Sequence, residues 1–215
     1  WREQTTVAHE QHLASLQPKQ TPGALQMGEV MVWLREHLPA DAIVTNGAGN
    51  FCVWVNGFYE YRHFRSQLGP TSGSMGYGTP AAVAAKLVHP DRTVVCVAGD
   101  GDFLMTSQEL ATAAQYELPV VWLIVNNQMY GTIRMHQERD YPGRVIGTDL
   151  TNPDFIAYAE AFGAKAARVE ITADFAPALK EALAHIGANK GPMLIEIMAN
   201  PEAISPGKTL QSLRA

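Results

Sequence analysis

Two short apolar runs, Thr93-Val94-Val95-Cys96-Val97-Ala98 and Val120-Val121-Trp122-Leu123-Ile124-Val125, constrain this chain more than any other feature. Both are rich in β-branched residues and too short for buried helices, so each reads as a strand covered on both faces. Weaker strands are expected at Ala42–Thr45, 165–169 and 193–197. Between them lie helical patterns. Leu25, Val30, Trp33, Leu34 and Leu38 share one face of a helix that starts at Ala24 and ends before Pro39. Further helices are expected at 51–59, 80–88, 107–116, 130–137, 153–162 and 174–187, the 107–116 helix opening on a Thr106/Glu109 capping box. Strands alternating with helices predict an α/β fold: a three-layer, doubly wound domain on a mostly parallel sheet.

These elements fill residues 23–200. Residues 1–22 are polar, contain Pro18 and Pro22, and read as a linker from a missing N-terminal region. Residues 201–215, with few apolar positions and Pro206-Gly207, read as a loose C-terminal arm. The chain opens on Trp1-Arg2-Glu3-Gln4, with neither an initiator Met nor a signal-like apolar stretch, and reads as the interior of a longer polypeptide.

Charge and cysteine usage narrow the function classes. The net charge of -5 and the scatter of 16 basic residues argue against a nucleic-acid partner. No apolar stretch approaches the ~20 residues of a membrane span, so no membrane partner is expected. Cys52 and Cys96 sit in apolar segments and read as buried free thiols of a cytoplasmic protein. No C-x-x-C pair supports a zinc ribbon or an iron–sulfur site. With no basic cluster, an anionic ligand would need backbone amides or a metal ion.

In such a sheet, ligands sit beyond the carboxyl ends of the strands. The first strong strand runs into Gly99-Asp100-Gly101-Asp102, the second into Asn126-Asn127-Gln128-Met129-Tyr130-Gly131. Asp100 and Asn127 are 27 residues apart, one helical crossover between neighbouring strand ends. Neighbouring strands lie ~4.8 Å apart, so these two side chains can reach one small ion. A carboxylate with amide and backbone carbonyls suits Mg²⁺ or Ca²⁺, and Mg²⁺ commonly completes its shell with phosphate oxygens. Gly99 and Gly101 allow close backbone approach to a phosphate. Plainer readings stand beside this one. Asp100 alone suits a helix cap or turn, Asn126-Asn127 an ordinary turn, Asn50 and Glu109 helix caps, and Met75 core filling. A dinucleotide site is not supported: Gly47-Ala48-Gly49 follows a strand, but Cys52 holds the third glycine's place.

The Gly99-Asp100-Gly101 and Asn126-Asn127 pair resembles the signature of thiamine-diphosphate-dependent enzymes. Met105-Thr106-Ser107-Gln108-Glu109-Leu110-Ala111-Thr112-Ala113 is similar to the acetolactate synthase branch. By that resemblance, Asp100 and Asn127 ligate Mg²⁺ with the Met129 main-chain carbonyl, and Gly101 and Asp102 contact the diphosphate. Gly73-Ser74-Met75-Gly76-Tyr77-Gly78 resembles the stretch that holds the coenzyme's two rings. There the Gly73 carbonyl would accept from the aminopyrimidine amine, and Met75 would wedge between the rings. Gly49-Asn50 matches a further diphosphate contact.

The resemblance covers about residues 22–199 and implies decarboxylation or carboligation of a small 2-oxo acid by a homodimer or homotetramer. The glutamate that activates the coenzyme is expected on the missing domain, from another subunit, so no catalytic residue is assigned in this chain. His136 stands where acetolactate synthases carry a Trp, a departure that implies a different donor or acceptor. The alternative is a non-catalytic cofactor-binding module or subunit. The 215 residues alone are therefore predicted not to turn over. Pyruvate decarboxylation measured with the isolated fragment checks this, and any sustained turnover overturns it.

Overall fold

The elements follow in the order α1 (Arg2–Ser15), α2 (Met27–His37), β1 (Ile43–Asn46), α3 (Phe51–Phe58), β2 (Gln67–Leu68) and α4 (Gly78–Val88). Next come β3 (Val94–Gly99), α5 (Asp100–Leu104), α6 (Glu109–Gln115), β4 (Val120–Asn126), α7 (Gly131–Asp140) and α8 (Phe155–Ala161). The chain closes with β5 (Lys165–Val169), α9 (Thr172–Gly187), β6 (Met193–Met198), β7 (Ala203–Ser205), β8 (Lys208–Thr209) and α10 (Leu210–Leu213). This computed structural model describes residues 1–15 and 17–214, so Leu16 of the expected linker and Ala215 of the expected arm lie outside the described residues.

Six strands form one sheet in the order β2-β1-β3-β4-β6-β5, every pairing parallel. This is the α/β architecture expected from the alternation of elements. β3 and β4 lie at the centre, which is why their sequences are unbroken apolar runs. Successive side chains go to opposite faces. Val95, Val97, Val121 and Leu123 pack into one layer with Met31 and Leu34 of α2, Trp54 of α3, and Phe175 and Leu179 of α9. Val94, Cys96, Val120, Trp122 and Ile124 pack into the other, with Ala82 of α4, Phe103 of α5, Leu110 of α6 and Phe155 of α8. In α2 the buried Met27, Val30, Met31 and Leu34 keep the i, i+3, i+4, i+7 spacing of a core-facing stripe. β2 lies on one side of β1 and β3 on the other. That reversal of winding opens a crevice beyond their carboxyl ends.

Three local expectations need correction. The helix expected over 107–116 forms as α6, Glu109–Gln115, with the short α5 ahead of it. The Thr106/Glu109 capping box does not form: Gln108 is the N-cap of α6 and makes no side-chain cap bond. The Thr106 hydroxyl donates instead to the Gly76 carbonyl at 2.8 Å. The expected linker contains a helix, α1, whose described side chains are exposed. The arm expected to be loose is built: β7 and β8 pair antiparallel, and Ile204 and Leu210 are buried against Met129. The two-residue β2 is too short to leave a periodic signal.

Leu123 is fully buried at the sheet's centre. Leu123→Ala is expected to cost about 2–5 kcal/mol of stability, the range for emptying a packed leucine site. Urea unfolding at neutral pH measures it, and a loss below about 1 kcal/mol would contradict this packing.

Candidate functional site

The strand ends open on one cleft. Ala48, Gly49 and Asn50 follow β1, Asp100, Gly101 and Asp102 follow β3, and Asn127, Met129 and Tyr130 follow β4; all line it. Met75 enters from the segment before α4, and Ala203 and Ile204 of the C-terminal arm form part of the wall. The space between these walls is about 750 Å³, open mouth included. The register that pairs Gly99 with Val125 brings the Asp100 and Asn127 turns side by side.

Asp100 is only 2% exposed. Its Oδ1 accepts from the Gly101 amide at 2.9 Å, and its Oδ2 from the Gln128 amide and Asn152 Nδ2, each at 2.8 Å. Burial pushes its pKa up, against these hydrogen bonds, and among the described residues no basic side chain pairs with it. Gln128 takes φ +59°, in the left-handed region, at the turn between Asn127 and Met129. Such strain in a residue other than glycine costs on the order of 1–3 kcal/mol and collects at functional turns. Asn127 Oδ1 accepts from the Met129 amide at 3.2 Å. Among the described residues no group of three or more His, Cys, Asp or Glu side chains is placed to hold a metal ion. A cation here would rest on one carboxylate, amide and main-chain carbonyls, and the ligand's own oxygens. The donor set present fits that requirement.

Asp102 is also buried, but its carboxylate turns inward. Oδ1 accepts from the Gly76 amide at 2.7 Å and the Ala48 amide at 3.3 Å. Burial, offset in part by these bonds, pushes its pKa up to about 6. The carboxylate fills the space a side chain at position 47 would need: a Cβ on Gly47 would lie 2.0 Å from Asp102 Oδ1. Oδ2 is buried without a hydrogen-bond partner. The Gly76 peptide is held at both ends, its N–H by Asp102 and its carbonyl by Thr106. That fixes Met75, which is half-buried beside it.

The remaining expected residues divide. Gly49 lines the cleft. Asn50 lines it too, but makes no side-chain cap bond; its Oδ1 accepts from Thr132 at 2.8 Å and its Nδ2 faces Met135 Sδ at 3.7 Å. Gly73, at φ +70°, borders an adjoining cavity that shares Ala48 and Gly49 with the main cleft. Ser74 is exposed and lines neither, its hydroxyl bonded to Ser72 at 2.9 Å. His136 is exposed on α7 and does not line the cleft; Thr132 and Ile133 do. Sequence reasoning missed Asn152, whose place before Pro153 reads only as turn chemistry. It also missed Tyr130, whose ring covers Gly101 so closely that a Cβ there would lie 2.6 Å from Cε1. A third omission is Glu138, fully buried, which accepts from Arg134 at 2.9 Å and from both Nε and Nη2 of Arg214 at 2.7 Å. The Arg214 hydrogen bonds are the leading reason its pKa falls to about 2.

A family model described as thiamine pyrophosphate enzyme, C-terminal TPP binding domain, matches residues 47–197. The acetolactate synthase large subunit of Porphyra purpurea is 33% identical over 218 residues, covering 97% of this chain and 34% of that protein. That of Parasynechococcus marenigrum (strain WH8102) is 38% identical over 178 residues, covering 79% and 27%. Among solved structures, the Rhodococcus jostii RHA1 thiamine diphosphate-dependent 4-hydroxybenzoylformate decarboxylase matches with a TM-score of 0.77 at 34% identity. That match covers 86% of this chain and 34% of the decarboxylase. The chain thus spans about a third of the length of the relatives it matches.

Asp102 also generates a pH dependence. Its folded-state pKa, about 6, lies above the ordinary value near 3.9. The folded protein thus keeps a proton that the unfolded chain releases, and stability falls as pH rises between about 4 and 6. Asp102→Asn keeps an acceptor oxygen and removes the titration. Without metal or cofactor, D102N is expected to match the unaltered protein near pH 4 and to exceed it by roughly 2–3 kcal/mol at pH 8. Urea unfolding at the two pH values decides; an equal gap at both would rule out this account.

Proposed function

Because this chain belongs to the thiamine pyrophosphate enzymes and carries their C-terminal TPP binding domain, we propose that its cleft holds thiamine diphosphate through a magnesium ion. The observation that carries this reading is Asp100: a buried carboxylate beside Asn127 in the same cleft, with no basic side chain offsetting it among the described residues. The proposed ligands are the Asp100 carboxylate, the Asn127 amide oxygen and the Met129 main-chain carbonyl. This all-oxygen set suits small, hard Mg²⁺, which leaves its remaining positions to water and diphosphate.

The other residues bind and orient. Main-chain groups of Gly49, Asn50, Gly101 and Asp102 are proposed to face the diphosphate, since the Asn50 and Asp102 side chains are engaged within the protein. The Gly73 carbonyl is proposed to receive the aminopyrimidine amine, with Ser74 carrying the main chain on to Met75 between the two rings. Thr106 and Asp102 keep that methionine in place through the Gly76 peptide. Leu25, Met27, Phe51, Trp54 and Ile204 make part of the cleft wall apolar and limit water there. When bound, the coenzyme supplies the nucleophilic carbon and the electron sink for decarboxylating a 2-oxo acid.

The activity belongs to the longer protein of which this chain would be the cofactor-binding part. An acetolactate-synthase-like decarboxylation or carboligation of a small 2-oxo acid fits the relatives' names, and we propose a homodimer or homotetramer as its assembly. The decarboxylase among them is named for 4-hydroxybenzoylformate, itself a 2-oxo acid. The two thiols are free, which supports the cytoplasmic setting expected from the sequence. No helix among the described residues is long and apolar enough to cross a membrane.

Asp100→Ala tests the site directly. In the full-length protein it is expected to weaken thiamine diphosphate binding in the presence of Mg²⁺ by on the order of 100-fold, as removal of a metal's only carboxylate should. Calorimetric titration measures this, and unchanged affinity removes Asp100 from the ligand set.

A further inference from the structure

Two donors and two acceptors form a closed square at the end of β4. Asn152 Nδ2 donates to Asp100 Oδ2 at 2.8 Å and to Asn126 Oδ1 at 2.9 Å. The Gln128 amide donates to the same two oxygens, at 2.8 Å and 3.1 Å. Asp100 Oδ2 thus carries two hydrogen bonds, which use both of its lone pairs. Oδ1 carries one, from the Gly101 amide at 2.9 Å, and keeps a lone pair.

Neither amide in the square is free to turn over. Asn126 Nδ2 donates to the buried Glu196 Oε1 at 2.7 Å, so Asn126 Oδ1 must face the square. Glu196 Oε2 accepts from Arg168 Nε at 2.6 Å, and Arg168 Nη2 donates to Asp154 Oδ1 at 3.0 Å. Asp154 caps α8 through the Ile156 amide and stands two residues after Asn152. The bonds form a circuit across β4, β6 and β5 that returns to the Asn152 loop. Reversing the Asn152 amide would set its oxygen against two acceptor oxygens. In the observed orientation its Oδ1 has no hydrogen-bond partner, so the residue is held by what its Nδ2 donates.

We propose that Asn152 is a positioning residue for the cation site: by occupying Asp100 Oδ2, it leaves only Oδ1 for the ion. This rests on the reading of Asp100 as a magnesium ligand. A carboxylate offering one oxygen suits the strict six-coordinate shell of Mg²⁺. Ca²⁺ takes more ligands at longer distances and accepts both oxygens of a carboxylate. Asn152 thereby sets ion preference without touching the ion.

The test uses the full-length protein and its Asn152→Leu variant, close in shape but without donors, with Asn152→Ser as a smaller second variant. Thiamine diphosphate binding is titrated at stepped Mg²⁺ or Ca²⁺ concentrations, beside the melting temperature of each metal-free protein. The Mg²⁺ concentration giving half-maximal binding is expected to rise about 10–100-fold, the usual loss when a ligand's supporting hydrogen bond is removed. Ca²⁺ is expected to lose far less, so the preference moves toward Ca²⁺ by about tenfold. A change limited to general loosening would weaken both ions alike and overturn the proposal. So would a Mg²⁺ requirement within about twofold of the unaltered protein. If neither variant folds, Asn152 serves the fold and the proposal also fails. If the unaltered protein binds the coenzyme without any divalent ion, the metal reading itself falls, a result separate from these.

Discussion

Burying the Asp100 carboxylate at the end of β3 puts a negative charge where water is scarce and where, among the described residues, no basic side chain pairs with it. An isolated buried charge costs several kcal/mol unless it is paired or coordinated. Three hydrogen bonds soften the cost without cancelling the charge. Much of the sheet's carboxyl edge is arranged around that fact. The parallel register of β3 and β4 brings the Asn127 turn alongside. The left-handed Gln128 bends that turn over the carboxylate, and the Asn126–Glu196–Arg168 chain ties it to the far strands. The proposed divalent cation would complete this arrangement.

The second buried acid is used differently, although the same burial raises its pKa. Asp102 joins the segments after β1 and before α4 by accepting from Ala48 and Gly76. Gly47 is glycine because the carboxylate occupies the volume of its side chain. Thr106 takes the opposite end of the Gly76 peptide. Two acids from one turn thus divide the labour, one facing the cleft and the other bracing the wall that carries Met75.

The layers were legible because β3 and β4, covered on both faces, must be apolar throughout, and because α2 keeps a helical stripe. That the Asp100 and Asn127 turns lie side by side was legible for a related reason: sharp strand ends make a 27-residue interval geometrically informative. What escaped depends on contacts distant in the chain. Asn152 reaches Asp100 across 52 residues and looks locally like any residue before a proline. Thr106 has the spacing of a cap, but the Gly76 carbonyl claims its hydroxyl and the helix starts at Glu109 without it. Residues 2–15 have no apolar stripe, so periodicity gave no reason to expect α1. The thiamine-diphosphate resemblance added what spacing alone does not carry, the identity of the ligand, and the family match bears that out.

The arm after β6 carries a consequence for how the domain tolerates change. Ile204 and Leu210 rest on Met129, Arg214 is clasped by the buried Glu138, and Ala203 and Ile204 shape the cleft. These residues share their footing with the turn after β4. Disturbing their packing would be felt at Met129 although no atom of that turn had been altered.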